Sequence, residues 1–371
     1  MKRYLTIYVF LGIITSCSPK NDPIVVHFSR EDFKQQVLLV NPEEIVLYDS
    51  LDIVNPVSFF LLQDTLLLVQ NQPRMPFALE LFSLHNLQSI AQLAPMGRGP
   101  GEFLTCTYMG CSVDQSKIYL QDRQTHSFYK VDLDRTIENK KIEVEQQFYY
   151  DPEIHPYTPS LVMLDSCHYT GYNMWYLDDT QFNNKVPALT KYHINPPQIE
   201  SSDNLDDPFM GHSYFVGPVN GARLVLTPDK EKIWLLDYRR DRIEIYNDSL
   251  VLLKTIHGPD HYKVQYVSQN AEDTSIQMIV FAEGKEYMAY TDYAYNHEHI
   301  YIVYVGTDSY QIDNLPSVEI FKLDWDGNML CNYKLDRFLY SISVDSKEEY
   351  LYGTSRKSFY EDPQFIRYTI K

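Results

Sequence analysis

Positive charge is what this chain has least of. Its 371 residues carry 32 Lys and Arg against 50 Asp and Glu, a formal net charge of −18. That balance argues against nucleic acid as a partner, because phosphate binding draws on clustered Lys and Arg. It argues equally against electrostatic docking on anionic lipid head groups. A membrane-spanning run is missing too: the apolar stretch from Leu5 to Ile14 falls short of the roughly 20 residues a spanning helix needs. No Gly-x-Ser-x-Gly elbow supports a hydrolase of that type. No CxxC pairing supports a zinc site. Helical periodicity is nearly absent, and Glu31 to Val40 is the one stretch that suggests a short helix or an arm. What the chain does have is aromatic residues, 31 Tyr and 18 Phe, which favour pleated, half-buried strands.

The N-terminus reads as a targeting signal. Lys2 and Arg3 precede the apolar run, which ends at Ile14-Thr15-Ser16-Cys17. An aliphatic residue and two small ones before a Cys match a bacterial lipobox, and the run fits a signal-peptide core. Cleavage before Cys17 and acylation of its thiol are expected, and two or more acyl chains suffice for stable anchoring. The chain then divides into a signal at 1–17, a polar tether or arm at 18–42 and the folded unit at 43–371. Cys106, Cys111, Cys167 and Cys331 remain. Export permits disulfides and four Cys allow three pairings, none selected by spacing. Mostly buried free thiols are expected.

A hexapeptide recurs. Lys117-Ile118-Tyr119-Leu120-Gln121-Asp122 returns as Lys232-Ile233-Trp234-Leu235-Leu236-Asp237, each followed by a second β-like run, Ser127 to Asp132 and Arg242 to Asn247. Strand, short polar turn and strand, repeated, is the mark of a repeat architecture. From Val57 onward, groups of strands joined by short polar turns predict antiparallel meanders. The first group is Val57–Leu62, Thr65–Val69, Ala78–Phe82 and Ser89–Leu93; the second is Thr107–Val113, Lys117–Asp122, Ser127–Asp132 and Lys141–Phe148. A third, with three strands, covers Leu161–Leu164, Gly171–Tyr176 and Ala188–His193. The fourth runs through Arg223–Thr227, Lys232–Asp237, Arg242–Tyr246 and Leu252–His257, and the fifth through Tyr287–Tyr293, His299–Val305, Ser317–Leu323 and Met329–Leu335. A sixth, Tyr340–Val344, Tyr350–Gly353 and Phe365–Ile370, is one strand short, and the isolated Ile45–Leu47 run supplies it. The fold class is therefore all-β: a single six-bladed propeller of four-stranded blades, closed by the N-terminal strand completing the last blade. Five steps from Leu67 to Leu351 average about 57 residues, a normal blade. Two β-sandwich domains would explain the strand spacing but not the repeated hexapeptide or the complementary ends.

Met96-Gly97-Arg98-Gly99-Pro100-Gly101-Glu102-Phe103 is the most distinctive local feature. Its Gly and Pro content specifies a tight backbone path. No GK[ST] ending or following helix makes it a phosphate loop. A degenerate copy, His257-Gly258-Pro259-Asp260-His261-Tyr262, follows the outer strand of the fourth blade as the first follows that of the first. Position favours a crossover geometry for both. The functional alternative has Arg98 and Glu102 point into the central funnel and bind a ligand.

A lipobox, a Gly97–Phe103 segment after blade one and six degenerate blades together resemble the TolB-like six-bladed propeller lipoproteins of Gram-negative bacteria. The resemblance covers the mature chain; it implies the fold and an outer-membrane location in the cell envelope far more than an activity. True TolB carries a further N-terminal domain, which Ser18 to Pro42 is too short to supply, so a role in an envelope translocation machine is not implied.

Other candidates have structural readings. Asp324-Trp325-Asp326-Gly327-Asn328 has alternating carboxylates, but the twelfth position of a calcium loop would be Leu335; a hairpin turn is expected, and Asp132-Leu133-Asp134 is taken as the same turn in blade two. Gly258-Pro259 keeps His257 and His261 off a helical face, so they make no metalloprotease signature. His297 and His299 are expected as turn residues. Tyr169, Tyr172, Trp175 and Tyr176 could form a sugar-stacking platform, with packing between blades the preferred reading. The expectation is a lipid-anchored, non-enzymatic binding or scaffold protein, with no catalytic residue, cofactor or metal, an envelope protein or a carbohydrate or peptide as ligand, and candidate contacts Arg98, Glu102, Tyr172 and Trp175 at a channel mouth. The rival is a propeller enzyme, lactonase-, cyclotransferase- or sugar lyase-like, with a channel metal ion.

Overall fold

An arm of three short strands opens the chain in the computed structural model: β1 (Ile24–His27), β2 (Gln35–Leu39) and β3 (Glu43–Glu44), with a 3-10 turn at Arg30–Asp32. The structure describes residues 22–46, 58–71, 75–112, 114–149, 161–165, 168–172, 189–194, 197–201, 214–215, 221–270, 277–307, 316–356, 358 and 363–371. Blade one is β4 (Ser58–Leu62), β5 (Leu66–Gln70), β6 (Phe77–Ser83) and β7 (Ser89–Pro95); blade two is β8 (Thr107–Cys111), β9 (Lys117–Asp122), β10 (Ser127–Asp132) and β11 (Val144–Tyr149), with helix α1 (Leu133–Asn139) before its last strand. Blade three is β12 (Leu161–Met163), β13 (His168–Tyr172), β14 (Leu189–Ile194) and β15 (Pro197–Ser201). After β16 (Tyr214–Phe215), blade four follows as β17 (Ala222–Leu226), β18 (Lys232–Asp237), β19 (Arg242–Asn247) and β20 (Leu252–His257). Then come β21 (Tyr266–Asn270) and β22 (Gln277–Phe281), blade five as β23 (Met288–Tyr295), β24 (His299–Thr307), β25 (Glu319–Asp324) and β26 (Met329–Leu335), and blade six as β27 (Leu339–Val344), β28 (Tyr350–Ser355) and β29 (Gln364–Thr369).

Every blade is an antiparallel meander, and most of its strands are joined by two- to five-residue polar turns that suit only antiparallel neighbours. The recurring Asp explains why the turns hold. Asp122 and Asp237 are both buried, and each accepts backbone N–H groups of the turn that follows: Gln124 at 3.1 Å, and Arg239 and Arg240 at 2.9 Å each. The chain between second and third strands is thereby tied to the strand it leaves. Asp122 also accepts from Leu104 N–H at 2.8 Å, fixing the crossover into its own blade.

The core consists of six apolar clusters, one for each junction between neighbouring blades. Leu68 and Leu120 meet between blades one and two, Phe128 and Tyr192 between two and three, Leu189 and Leu235 between three and four. Trp234 and Ile302 meet between four and five, Val303 and Ile342 between five and six. Phe59 and Phe365, stacked at 4.8 Å, close the circle between six and one. Each fully buried aliphatic side chain contributes roughly 1.5–3 kcal/mol, so the ring gains from every junction.

The closing strand is β3, which pairs antiparallel with β29 through Glu44 and Ile366. Pairing falls two residues earlier than the expected Ile45–Leu47, because Ile45 turns inward as core after its N–H reaches the Phe365 carbonyl at 2.8 Å. The segment expected as tether or arm lies, from Asp22 onward, along the outside of the propeller. β1 adds parallel to β20 and β2 parallel to β26, giving blades four and five a fifth strand. Three further differences stand out. Asp132-Leu133-Asp134 starts α1 rather than a hairpin turn: Asp132 accepts Arg135 N–H at 3.0 Å as the helix N-cap. Blade three has its fourth strand in β15. A separate three-stranded sheet, β16-β22-β21, combines β16, which precedes blade four, with β21 and β22, which follow it. The Asp324–Asn328 segment is the expected turn, closed by Gly327 N–H to the Asp324 carbonyl at 2.9 Å. Cys106, Cys111 and Cys331 are free thiols, and Cys167 lies outside the described residues.

Candidate functional site

The innermost strands β4, β8, β12, β17, β23 and β27 bound the axis, and each presents an edge with no ladder partner among the described residues. Side chains from neighbouring blades satisfy these edges. Asp292 on β23 accepts the Ile342 N–H of β27 at 2.9 Å. Ser343 on β27 accepts Leu61 N–H of β4 at 3.1 Å, and Gln70 accepts Tyr108 N–H of β8 at 2.9 Å. Tyr293 donates its hydroxyl to the Leu224 carbonyl of β17 at 3.0 Å, and Arg223 donates Nε–H to the Thr291 carbonyl at 3.4 Å. Bulges in β8, β23 and β27 re-aim the side chains that do this.

Aromatic side chains crowd the axis itself. Phe60 of blade one lies 4.3 Å from Tyr108 of blade two, centroid to centroid. Tyr293 and Tyr295 of blade five reach across to Tyr108 of blade two closely enough to influence its ionisation. Burial pushes the Tyr108 and Tyr295 hydroxyls far up and that of Tyr293 to about 12, so all three stay neutral donors at physiological pH.

Beside these neutral rings sit two charged groups on innermost strands, Arg223 on β17 and Asp292 on β23. Arg223, second residue of β17, is exposed, and beyond the Thr291 carbonyl it makes no ion pair among the described residues. Asp292 is close enough to feel the Arg223 charge without pairing to it. Burial pushes the Asp292 carboxyl up to about 6, against the opposing pull of Arg223 and of the Ile342 and Tyr293 N–H groups. The neighbouring Thr291 hydroxyl is buried and has no hydrogen-bond partner among the described residues. A lone guanidinium, a half-committed carboxylate and a Tyr floor can hold a ligand that carries both acceptors and donors.

The residues expected from sequence fall elsewhere. Glu102 folds back on its own loop: its Oε2 accepts Gly99 N–H at 2.6 Å, while Gly97 and Phe103 close the loop backbone to backbone at 2.9 Å. A Cβ at Gly97 would displace the Glu102 carboxylate from this position, and Gly101 supplies the positive φ of 80° that the loop uses. Arg98 projects from the same loop into solvent. The copy at Gly258 is equally structural, since a Cβ there would strike the Phe28 carbonyl of the arm. Tyr172 is core between blades three and four, and Tyr169 stacks on Tyr192 at 5.2 Å between blades two and three. Trp175, Tyr176 and Cys17 lie outside the described residues. Nothing brings Arg98, Glu102 and Tyr172 together. His299 is bound to Glu348 at 2.5 Å; although burial pulls the other way, hydrogen bonds from Lys322, Asn296 and His299 hold that carboxyl down at about 2. His257 stacks on His27 of the arm at 5.1 Å. Among the described residues, no three His, Cys, Asp or Glu lie close enough to hold a metal ion. Arg223 and Asp292 left one trace in the sequence: each is a charge inside an otherwise apolar or aromatic first strand of a blade.

A crystal structure of a DUF4221 family member from Bacteroides vulgatus superposes with a TM-score of 0.60 at 9% identity, over 89% of this chain and 98% of that one, a likeness of fold. The β-propeller domain of Cps50 (Swd1) from Myceliophteria thermophila gives 0.45 at 8% identity, over 89% and 100% of the two chains. Hydrazine synthase of Kuenenia stuttgartiensis gives 0.44 at 10%, over 87% and 99%. No curated protein matches the sequence. The family model described as TolB-like 6-blade propeller-like matches residues 39–347, from the end of the arm's second strand to the first hairpin turn of blade six. The chain belongs to the TolB-like six-blade propeller family.

Proposed function

We propose that this protein is a lipid-anchored propeller of the cell envelope, held at the outer membrane through Cys17, that binds its ligand at the axial mouth beside Arg223 and Asp292 without transforming it. The observation that carries the site is the exposed Arg223 guanidinium on an innermost strand, without a carboxylate partner among the described residues. A guanidinium held at one nitrogen keeps its other donors for a planar acceptor such as a carboxylate. The nearby Asp292 accepts hydroxyl or ammonium protons, so a peptide or a carbohydrate fits the pair. The anchor rests on Ile14-Thr15-Ser16-Cys17 following the apolar run.

Native mass spectrometry tests the site. Protein released from its own envelope by mild detergent should carry a noncovalent adduct that is lost in Arg223→Ala and kept in Arg98→Ala. An adduct indifferent to Arg223→Ala contradicts the assignment. The alternative, a propeller enzyme, draws on the raised Asp292 pKa, which suits proton transfer near neutrality. Stoichiometric calcium or zinc in the purified protein would favour it.

A further inference from the structure

Exposed apolar side chains are not spread evenly over this propeller. Of the eleven large ones among the described residues, five belong to the arm, and Val251 and Leu253 beside β1 add two more. Ile24 is 64% exposed, Val25 56% and Leu253 37%. Ile24 and Val25 lie on the edge strand β1 at the outer rim of blade four, and Leu253 lies on the neighbouring β20. Val25 pairs with Thr255, while Leu253 is the extra residue of a β-bulge in β20, where the ladder to β19 steps from Lys254 to Leu252. Ile24, paired with Lys254, lies on the other face from Val25. An outer edge bearing such side chains would ordinarily be blunted by charge.

The chain preceding this edge says what covers it. Cys17 is five residues from Asp22 and seven from Ile24, a reach of at most about 25 Å to Ile24 even fully extended. A folded chain of this length has a radius of gyration of about 20 Å, hence a width on the order of 50 Å. The tether is shorter than the molecule is wide. An anchored propeller therefore cannot turn blade one, on the opposite side of the ring, towards the membrane.

We propose that the blade-four rim formed by Ile24, Val25 and Leu253 lies against the lipid bilayer, its apolar side chains entering the head-group boundary. The occupant of the surface is the membrane itself. Apolar burial supplies the attraction, since the surface charge of the molecule is acidic. This inference rests on the lipid anchor of the proposed function.

The test uses the full-length acylated protein in phosphatidylethanolamine vesicles containing lipids brominated along the acyl chain. Tryptophan is placed at the rim (Val25→Trp, with Ile24→Trp as a second variant) or on the outer strand of blade two (Val144→Trp, likewise exposed), and parent fluorescence is subtracted. The rim positions should be quenched several-fold more than Trp at position 144. Equal quenching at both, in protein that floats with vesicles only when Cys17 is present, overturns the orientation and leaves the anchor standing. Flotation unaffected by Cys17→Ala overturns the anchor, and the orientation with it.

Discussion

Asp292 is a carboxylate placed where water is scarce, and its proton answers for it. Burial raises its pKa from 3.8 to about 6. The folded protein thus holds this proton more tightly than the unfolded chain. Its contribution to stability is full below the unfolded value, is lost as the pH rises from about 4 through 6, and is gone above about 7. A shift of that size corresponds to roughly 3 kcal/mol. Asp292→Asn keeps an oxygen for the Ile342 N–H and has no proton to lose. It is expected to exceed the parent by roughly 2–3 kcal/mol at pH 8 and to lose this pH dependence, which urea unfolding at pH 5 and pH 8 will show. A variant with the same slope between the two pH values would contradict the burial argument. Arg223 is the opposite case: exposed, without an ion pair among the described residues, and assigned to binding only by the function proposed above.

At the scale of elements, the arm is the unexpected part. Phe28 and Phe33 pack edge to face at 5.8 Å, and both rest on Phe321 of blade five, Phe33 at 5.0 Å. Arg30 between them bridges Asp260 at 2.5 Å and Glu319 at 2.6 Å, and Asp260 in turn accepts the Tyr304 hydroxyl at 2.7 Å. The arm is thereby part of the core between blades four and five. Phe33→Ala should cost about 3–5 kcal/mol, a fall in Tm of roughly 5–10 °C for a chain of this length; an unchanged melting curve would mean the arm is a loose tether. The hairpins were legible because alternation with period two and short polar turns are local signals, as in Lys117–Asp122 and Lys232–Asp237. β1 and β2 were not, because their parallel partners lie more than two hundred residues away and no turn announces them. α1 was missed because an Asp that caps a seven-residue helix has the same appearance as an Asp that opens a turn. The candidate site was the least legible part. Gly97–Phe103 attracts notice through its glycines, which serve the loop's own closure around Glu102. The importance of Arg223 depends on β17 being the innermost strand of its blade, and only the three-dimensional ring reveals that.

The whole molecule is a closed circle of six apolar junctions, with a Tyr-filled axis, an N-terminal arm wound around blades four to six, and a charged pair at the axial mouth. The belonging of this chain to the TolB-like propellers accounts for the circle. The function proposed for it rests on the mouth. Arginine footprinting with phenylglyoxal, read by mass spectrometry, tests that directly because Arg98 and Arg223 are both exposed and only one lies at the axis. In intact envelopes, where the ligand is present, Arg223 should be modified several-fold more slowly than in the purified, ligand-stripped protein, while Arg98 reacts alike in both. Equal modification of Arg223 in the two settings would contradict the account.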